Sequence, residues 1–506
     1  MLRAMGQGEN KHVFVSYVHE DDTEVDSLCA VLEAAQIPYW RDRKSLGPGD
    51  AWKAKIREAI RDGSLVFLAC FSDNSRVKDK SHMNEELTIA VEEYRKRAPG
   101  RTWLIPVRFD SGDVPEWDLG AGRVLSDLNY ADLFGKAYAA QAASLVTTIH
   151  GVMGDKQLGP AAALEAVEQS TAADRADLLK RLTKEMLVDP RRRIDLDDLV
   201  SQEVQRVLKV INDPDRVNVP FGGSGNEQMT RLAEEAQELW ELTKPFCASL
   251  QLAARWGTPD LLTPWTNGLR AFVQAPLKVQ GGVTALLELR YLPGMVSLMT
   301  AGLACSSSRK WDNLKAFVVD PSVRDRHESK PQAVLEATNP WAPIDHEGWT
   351  ANILAKSALD NKPFDEALAD FTERRVGKYH TPVAEWLYAS LRPIFMDQWP
   401  EDDAYAAEFD RAEVMLGVLA QDAVNVRIAA TTDGRGWGQS RWFGRSTWRA
   451  AHYHGNSVED IQHELATEGA MWGPLCGDLF GGNLDRANAA VDKYAESFTE
   501  IAHQRF

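Results

Sequence analysis

The segment SLVFLACFS, residues 64–72, is a nearly continuous apolar run. Such a run is typical of a β-strand that is buried on both faces, because parallel sheets are covered by helices on both sides. Shorter strand-like runs occur before and after it, and segments with helical character separate them. The strand-like runs are HVFVSY at 12–17, IPYW at 37–40 and TWLIPVRF at 102–109. This alternation predicts an α/β fold with an open parallel sheet.

An open parallel sheet binds ligands beyond the carboxyl ends of its strands. In this chain those ends fall at Ser16-Tyr17, at Trp40 to Asp42 and at Phe71-Ser72. The segment SHMNEELTIAVEEY, residues 81–94, follows the third of these ends and has helical periodicity. We therefore expect this helix to begin beside the ligand-binding edge of the sheet.

Two adjacent carboxylates, Glu85 and Glu86, lie in the first turn of that helix. At 3.6 residues per turn, its apolar side chains form one stripe made of Met83, Leu87, Ala90, Val91 and Tyr94. Glu85 points away from the stripe, whereas Glu86 lies on its flank, one turn after His82. A carboxylate at the edge of a buried face can line a cleft. The alternative is that both glutamates only complement the helix dipole.

Five segments in order resemble the successive signatures of a bacterial TIR (Toll/interleukin-1 receptor) domain. They are VFVSYVHEDD, YWRDRKSLGPGDAWKAKIREAI, SLVFLACFSDNS, NEELTIAV and WLIPVRFD. The resemblance covers residues 11–150 and implies a flavodoxin-like parallel sheet. In catalytically active TIR domains, a glutamate that opens the helix after the third strand is essential for cleaving NAD+. An apolar residue follows it, and a small residue stands four positions on, which matches Glu86, Leu87 and Ala90.

The resemblance also implies which residues contact the nucleotide. Tyr17 and Trp40 occupy positions where the family often places aromatic rings, and Asp42 and Arg43 open the loop that borders the site. Tyr17 and Trp40 could instead be core residues. His82 stands where active members often carry a tryptophan, and a histidine can both stack on a ring and hydrogen-bond. The candidate ligand contacts are therefore Tyr17, Trp40, Asp42, Arg43, Phe71 and His82.

The cleavage of NAD+ needs only one carboxylate in the active site. Nicotinamide leaves as a neutral molecule from a cationic glycosidic bond, so the reaction needs no general acid. The transition state is a positively charged, oxocarbenium-like ribose, which one buried carboxylate can stabilise. NAD+ is then the substrate, and no cofactor or metal is implied.

Helical periodicity replaces strand-like runs from about Gly159 onward. The sequence predicts a disordered N-terminus at 1–10, the TIR domain at 11–150, a helical connector at 151–217 and a helical regulatory or oligomerisation domain at 218–506. We read RGWGQSRWFGRSTWR, residues 435–449, as a solvent-facing loop with tryptophan anchors, the alternative being a ligand or partner loop. His452, His454 and His463 lie close in sequence, but no second ligand cluster supports a metal site.

Composition limits the possible partners and location. The net charge of −17 argues against a general nucleic-acid-binding surface. The five cysteines are scattered, with no CxxC spacing, and the chain shows neither a signal peptide nor an apolar run of 18 residues. We therefore expect a cytoplasmic protein without a membrane span.

The resemblance implies an NAD+ glycohydrolase that is activated when TIR domains self-associate, with the loop 41–50 inserting against a neighbouring copy. It further implies antiphage defence by abortive infection, in which the helical region responds to a phage protein or small-molecule trigger. Two alternatives are a non-catalytic TIR scaffold and a nucleotide-signal receptor.

Overall fold

The computed structural model describes most of the chain in thirteen ranges. They are residues 12–41, 56–78, 80–98, 100–135, 138–153, 174–220, 222–278, 281–325, 330–340, 343–344, 349–430, 438–452 and 454–505. The expected disordered N-terminus (1–10), Asp42, Arg43 and the rest of the loop up to residue 50 lie outside these ranges. The chain divides into two compact units, residues 1–186 with 191–199 and residues 187–190 with 200–506. The domain boundaries expected from the sequence remain predictions.

The first unit contains a five-stranded sheet in which all neighbours pair in parallel, as the sequence predicts. The strands are β1 (His12–Ser16), β2 (Tyr39–Arg41), β3 (Ser64–Phe71), β4 (Leu104–Arg108), a small antiparallel pair β5 (Asp118–Gly120) and β6 (Arg123–Val124), and β7 (Ala131–Asp132). The sheet order is β2-β1-β3-β4-β7, so β1 and β3 are interior strands. Seven of the eight residues of β3 are buried, which confirms the interpretation of the apolar run.

Helices lie between these strands and after the last of them. They are α1 (Asp22–Ala34), α2 (Asp73–Arg76), α3 (His82–Lys96), α4 (Tyr138–Met153) and α5 (Arg175–Leu187), with a π-helical turn at Ala59–Gly63. The helix α3 and the rings of Phe14 and Phe67 belong to one hydrophobic cluster on one face of the sheet. This packing brings the start of α3 to the carboxyl edge of β1 and β3.

The second unit is mainly helical, as expected. Its helices are α6 (Arg193–Ile211), whose first residues belong to the first unit, α7 (Pro214–Val217), α8 (Gly225–Trp256), α9 (Thr263–Gln274), α10 (Thr284–Glu288), α11 (Leu292–Ser307), α12 (Trp311–Leu314), α13 (Val334–Ala337), α14 (Trp349–Asp360), α15 (Phe364–Thr372), α16 (Pro382–Phe395), α17 (Asp402–Ala429), α18 (Arg445–Ala451), α19 (Ser457–Glu468), α20 (Gly473–Cys476) and α21 (Leu484–Arg505). Among the described residues of this unit, strand is confined to the two-residue pair β8 (Ser322–Val323) and β9 (Gln332–Ala333).

The helix α11 forms the centre of the second unit. Residues 292–306 are all buried, and α8, α9 and α17 pack around them. A helix that is apolar on every side is stable only when neighbours cover it completely. Among the described helices, none combines the length and the apolar composition that a membrane span requires.

The sequence predicts a solvent-facing loop at residues 435–449. The structure describes this segment from residue 438, and this part does not form such a loop. Trp442 and Phe443 are buried, as expected of anchors, but Arg445 is buried as well. The Arg445 guanidinium donates hydrogen bonds to Glu385 Oε2 at 3.2 Å and to Asp410 Oδ1 at 2.9 Å. The basic residue is therefore used inside the unit, where acidic side chains far away in sequence neutralise it.

Candidate functional site

The helix α3 separates the two adjacent glutamates as its rotation predicts. Ser81 caps the helix by accepting a 3.1 Å hydrogen bond from the backbone N–H of Asn84. The apolar stripe is buried from Met83 to Val91, and Tyr94 is half-buried. Glu85 is exposed, whereas Glu86 is only 5% exposed. The two carboxylates therefore have different environments although they are neighbours in sequence.

The Glu86 carboxylate is tied to the sheet by Ser16. The Ser16 hydroxyl donates a buried hydrogen bond of 2.6 Å to Glu86 Oε2. Ser16 is the last residue of β1, pairs with Ala69 of β3 and is fully buried. Burying a carboxylate is costly unless it receives hydrogen bonds, and a bond to a charged acceptor is stronger than a neutral one. This bond fixes Glu86 at the carboxyl end of the interior strand β1.

Trp40 lies on the same face of the sheet as this pair. It pairs with Phe14 in the β1–β2 register, and side chains alternate along a strand, so Phe14, Ser16 and Trp40 share one face. The Trp40 indole stacks on the Phe14 ring with centroids 4.7 Å apart, and it is half-buried. Phe71 belongs to the same cluster but is only 3% exposed, so it offers a ligand little surface.

Tyr17 takes part in a different set of contacts. Its hydroxyl donates to Asp22 Oδ1 at 2.9 Å and accepts from Arg41 Nε at 2.8 Å, and the guanidinium of Arg41 lies over its ring. Arg41 is buried and also bonds to Asp22 and Asp26. Burial raises the pKa of Tyr17 to about 12, so the hydroxyl stays protonated at neutral pH. Because Arg41 is adjacent to Trp40 in β2, strand alternation directs it to the opposite face.

His82 is the first residue of α3 and is exposed. It lies one helical turn before Glu86. Asp42 and Arg43 lie outside the described residues. Among the candidate residues, the fold thus brings Glu86 and Trp40 to one face of the sheet. Glu86 offers a charge there, and Trp40 offers exposed ring surface.

Sequence reasoning assigned no role to two polar groups at this edge. Ser16 is one; the signal for it was a serine in an otherwise apolar strand, two positions after Phe14. Asp21 is the other: it is 2% exposed and accepts hydrogen bonds from Ser72 Oγ at 2.6 Å and Asn74 Nδ2 at 2.8 Å. Asp21 therefore joins the loop after β1 to the loop after β3.

The three histidines near residue 460 are exposed, and His452 and His454 stack on Trp448. Within the described ranges, no group of three or more His, Cys, Asp and Glu side chains could hold a metal ion.

Comparison with known proteins gives one family. The family model described as TIR domain matches residues 13–146, which run from the second residue of β1 through β7 into α4. No curated protein matches the chain.

Proposed function

Because residues 13–146 form a TIR domain, we propose that this domain cleaves NAD+ and that Glu86 is its catalytic carboxylate. The observation that carries the proposal is the environment of Glu86. It is a buried carboxylate at the carboxyl edge of a parallel sheet, it accepts a hydrogen bond from Ser16, and it shares a sheet face with Trp40. Ligands bind parallel sheets at this edge.

The proposed reaction breaks the bond between the nicotinamide nitrogen and the ribose. The bonding electron pair leaves with nicotinamide, which becomes neutral, and the ribose develops positive charge. Water then adds to the ribose carbon and releases a proton, which gives ADP-ribose. The Glu86 carboxylate stabilises the charge on the ribose, and this stabilisation grows toward the transition state. If the adenine attacks the ribose carbon in place of water, the product is cyclic ADP-ribose.

Trp40 supports the proposal because NAD+ carries two flat rings. The Phe14 ring covers one face of the indole, and Trp40 is half-buried at the edge strand of the sheet. An aromatic residue held in this way can stack on a ring of the substrate without losing much conformational freedom.

The setting is part of the same proposal. Self-association of TIR domains switches cleavage on, and the helical second unit restrains it until a phage protein or small molecule is sensed. NAD+ depletion then stops the infected cell, which is antiphage defence by abortive infection in the cytoplasm.

Matched isosteric variants test the catalytic assignment. Glu86→Gln removes the charge and keeps the shape, so NAD+ turnover should fall about 10²–10³-fold, the usual effect of one preorganised electrostatic group. Glu85→Gln removes the same charge from the exposed neighbour and should cost almost nothing. Turnover, melting temperature and oligomer size are compared for full-length protein over a range of concentrations that favours assembly. Equal losses in both variants would instead point to an effect on the helix dipole.

A TIR scaffold without catalysis is the second candidate, because an exposed His82 stands where active members often carry tryptophan. The same assay separates the two. Concentration-dependent assembly with no NAD+ turnover, in the presence and absence of phage lysate, would establish the scaffold.

A further inference from the structure

Ser16 is part of β1, and its hydroxyl also donates a hydrogen bond to the Glu86 carboxylate. We propose that Ser16 is a positioning residue for NAD+ cleavage, which holds the Glu86 carboxylate in the charged and oriented form that faces the ribose. This inference rests on the proposed function and adds a residue that the family resemblance did not bring into the site.

The backbone of Ser16 belongs to an interior strand of the sheet. β1 lies between β2 and β3, so hydrogen bonds fix it on both sides, and Ser16 itself is fully buried. Glu86 is attached to a different element and has three rotatable side-chain bonds. A 2.6 Å bond between them joins the flexible Glu86 side chain to the end of an interior strand of the sheet, where Ser16 pairs with Ala69 of β3. Such support is what holds a functional group in a productive geometry.

The direction of the hydrogen bond adds an electrostatic effect. The Ser16 hydroxyl donates to Glu86 Oε2, and an ionised carboxylate, which has only acceptor atoms, can receive this bond. A donor that binds the charged form favours that form, whereas burial in apolar surroundings opposes it. The bond from Ser16 therefore acts in favour of the charged form of Glu86.

A purely structural role of Ser16 and the proposed positioning role predict different results. If Ser16 only fastened α3 to the sheet through this bond, its loss would lower stability and shift the titration of Glu86 but would leave kcat unchanged. The positioning role predicts changes in the titration of Glu86 and in kcat, with a smaller change in KM for NAD+.

The test compares Ser16→Ala with Ser64→Ala in the full-length protein. Ser64 is a suitable control because it is also a buried serine of the sheet. It is the first residue of β3, so it lies at the edge of the sheet away from Glu86, and its hydroxyl donates to the Ile60 carbonyl at 2.7 Å. Each protein is labelled with ¹³C at the glutamate carboxyl carbons. The Glu86 signal is the one missing from Glu86→Gln.

We expect Ser16→Ala to move the titration of the Glu86 signal to higher pH and to lower kcat about ten- to hundredfold, the range for one hydrogen bond to a charged group. Ser64→Ala should match the wild type in both measurements. Ser16→Thr keeps the hydroxyl and should restore both. If Ser16→Ala does not fold, Ser16→Cys, which offers only a weak donor, should show the same two changes at smaller size.

An unchanged Glu86 titration in a folded Ser16 variant overturns the proposal. A shifted titration with normal kcat also overturns it, because the bond would then have no catalytic consequence. If the wild type leaves NAD+ intact, the proposed function fails. The titration still decides separately whether Ser16 holds the Glu86 carboxylate in its charged form.

Discussion

The indole of Trp40 stacks on the ring of Phe14, with the ring planes 17° from parallel and the centroids 4.7 Å apart. Phe14 in turn stacks on Phe67 at 5.1 Å, so three rings from three adjacent strands form a continuous column. Trp40 is the half-buried end of this column, on the sheet face that carries Ser16 and Glu86. The proposed role of Trp40 in binding NAD+ can therefore be tested apart from the proposed catalysis by Glu86.

Replacing Trp40 should weaken NAD+ binding in proportion to the ring surface that is lost. Trp40→Phe keeps an aromatic face and should raise KM only slightly. Trp40→Ala removes it and should raise KM about ten- to hundredfold, because one aromatic–base stack contributes about 1–3 kcal/mol. Steady-state kinetics at saturating and limiting NAD+ separate KM from kcat. A fall in kcat alone, with KM unchanged, would contradict stacking on the bound substrate.

Tyr17→Phe should affect stability more than NAD+ binding. The variant loses the hydroxyl that accepts from Arg41 and donates to Asp22, which leaves a buried guanidinium with one acceptor fewer. We expect a loss of about 1–3 kcal/mol in the free energy of unfolding, measured by urea denaturation. KM for NAD+ should stay close to that of the wild type. A large rise in KM at unchanged stability would mean that Tyr17 contacts the substrate, as the family resemblance implies.

Local periodicity was sufficient to predict the elements that place the site. The apolar run of β3 and the helical stripe of α3 depend only on neighbouring residues, so the parallel sheet and the different environments of Glu85 and Glu86 followed from the sequence. The side-chain partners did not follow. Ser16 and Glu86 are 70 positions apart and Arg41 and Tyr17 are 24 apart, and nothing in either segment specifies its partner.

The segment 438–449 shows the same limit in the second unit. Its arginines and glycines predict a loop in solvent, because charged side chains are rarely buried without partners. The partners of Arg445 are Glu385 and Asp410, which come from α16 and α17. Only the tertiary packing of α18 against those helices shows that this arginine is buried.

Gly444→Ala should destabilise the second unit. A Cβ atom at this position would lie 2.0 Å from Glu413 Oε1 and 2.9 Å from the Cβ atom of Ala384, so packing around it must shift. Overpacking of this kind costs about 1–3 kcal/mol, and sometimes more.

Gly377→Ala is the matched control, because Gly377 is exposed and a Cβ atom there would have no neighbour within 4 Å. Urea denaturation of both variants gives the comparison. Equal stability of Gly444→Ala and the wild type would mean that Glu413 does not approach Gly444 as closely as described.

Glu413 should make the stability of the second unit depend on pH. Its carboxylate is buried and accepts two hydrogen bonds at Oε2, from the Ser446 hydroxyl at 2.6 Å and the Ser446 backbone N–H at 2.9 Å. Burial raises its pKa from 4.5 to about 7, against the effect of these bonds, and the nearby Asp410 adds to the rise while Arg445 opposes it. Tyr494 of α21 also lies within its electrostatic influence.

The sign of the pH effect follows from the number of bound protons. Between pH 4.5 and about 7, the folded protein holds a proton on Glu413 that the unfolded chain has released. The free energy of unfolding therefore falls as pH rises through this window, and it levels off above it. Burial also raises the pKa of Glu385 and Asp410, so they contribute slope in the same direction.

Glu413→Gln should flatten this pH dependence. The glutamine oxygen can accept both bonds from Ser446 without carrying a charge, so the variant should be more stable than the wild type at pH 8, by up to about 3 kcal/mol at 1.36 kcal/mol per pKa unit. The two proteins should converge near pH 4.5. Urea denaturation from pH 5 to 8 measures both proteins, and an identical slope in wild type and Glu413→Gln would show that another group titrates in this window.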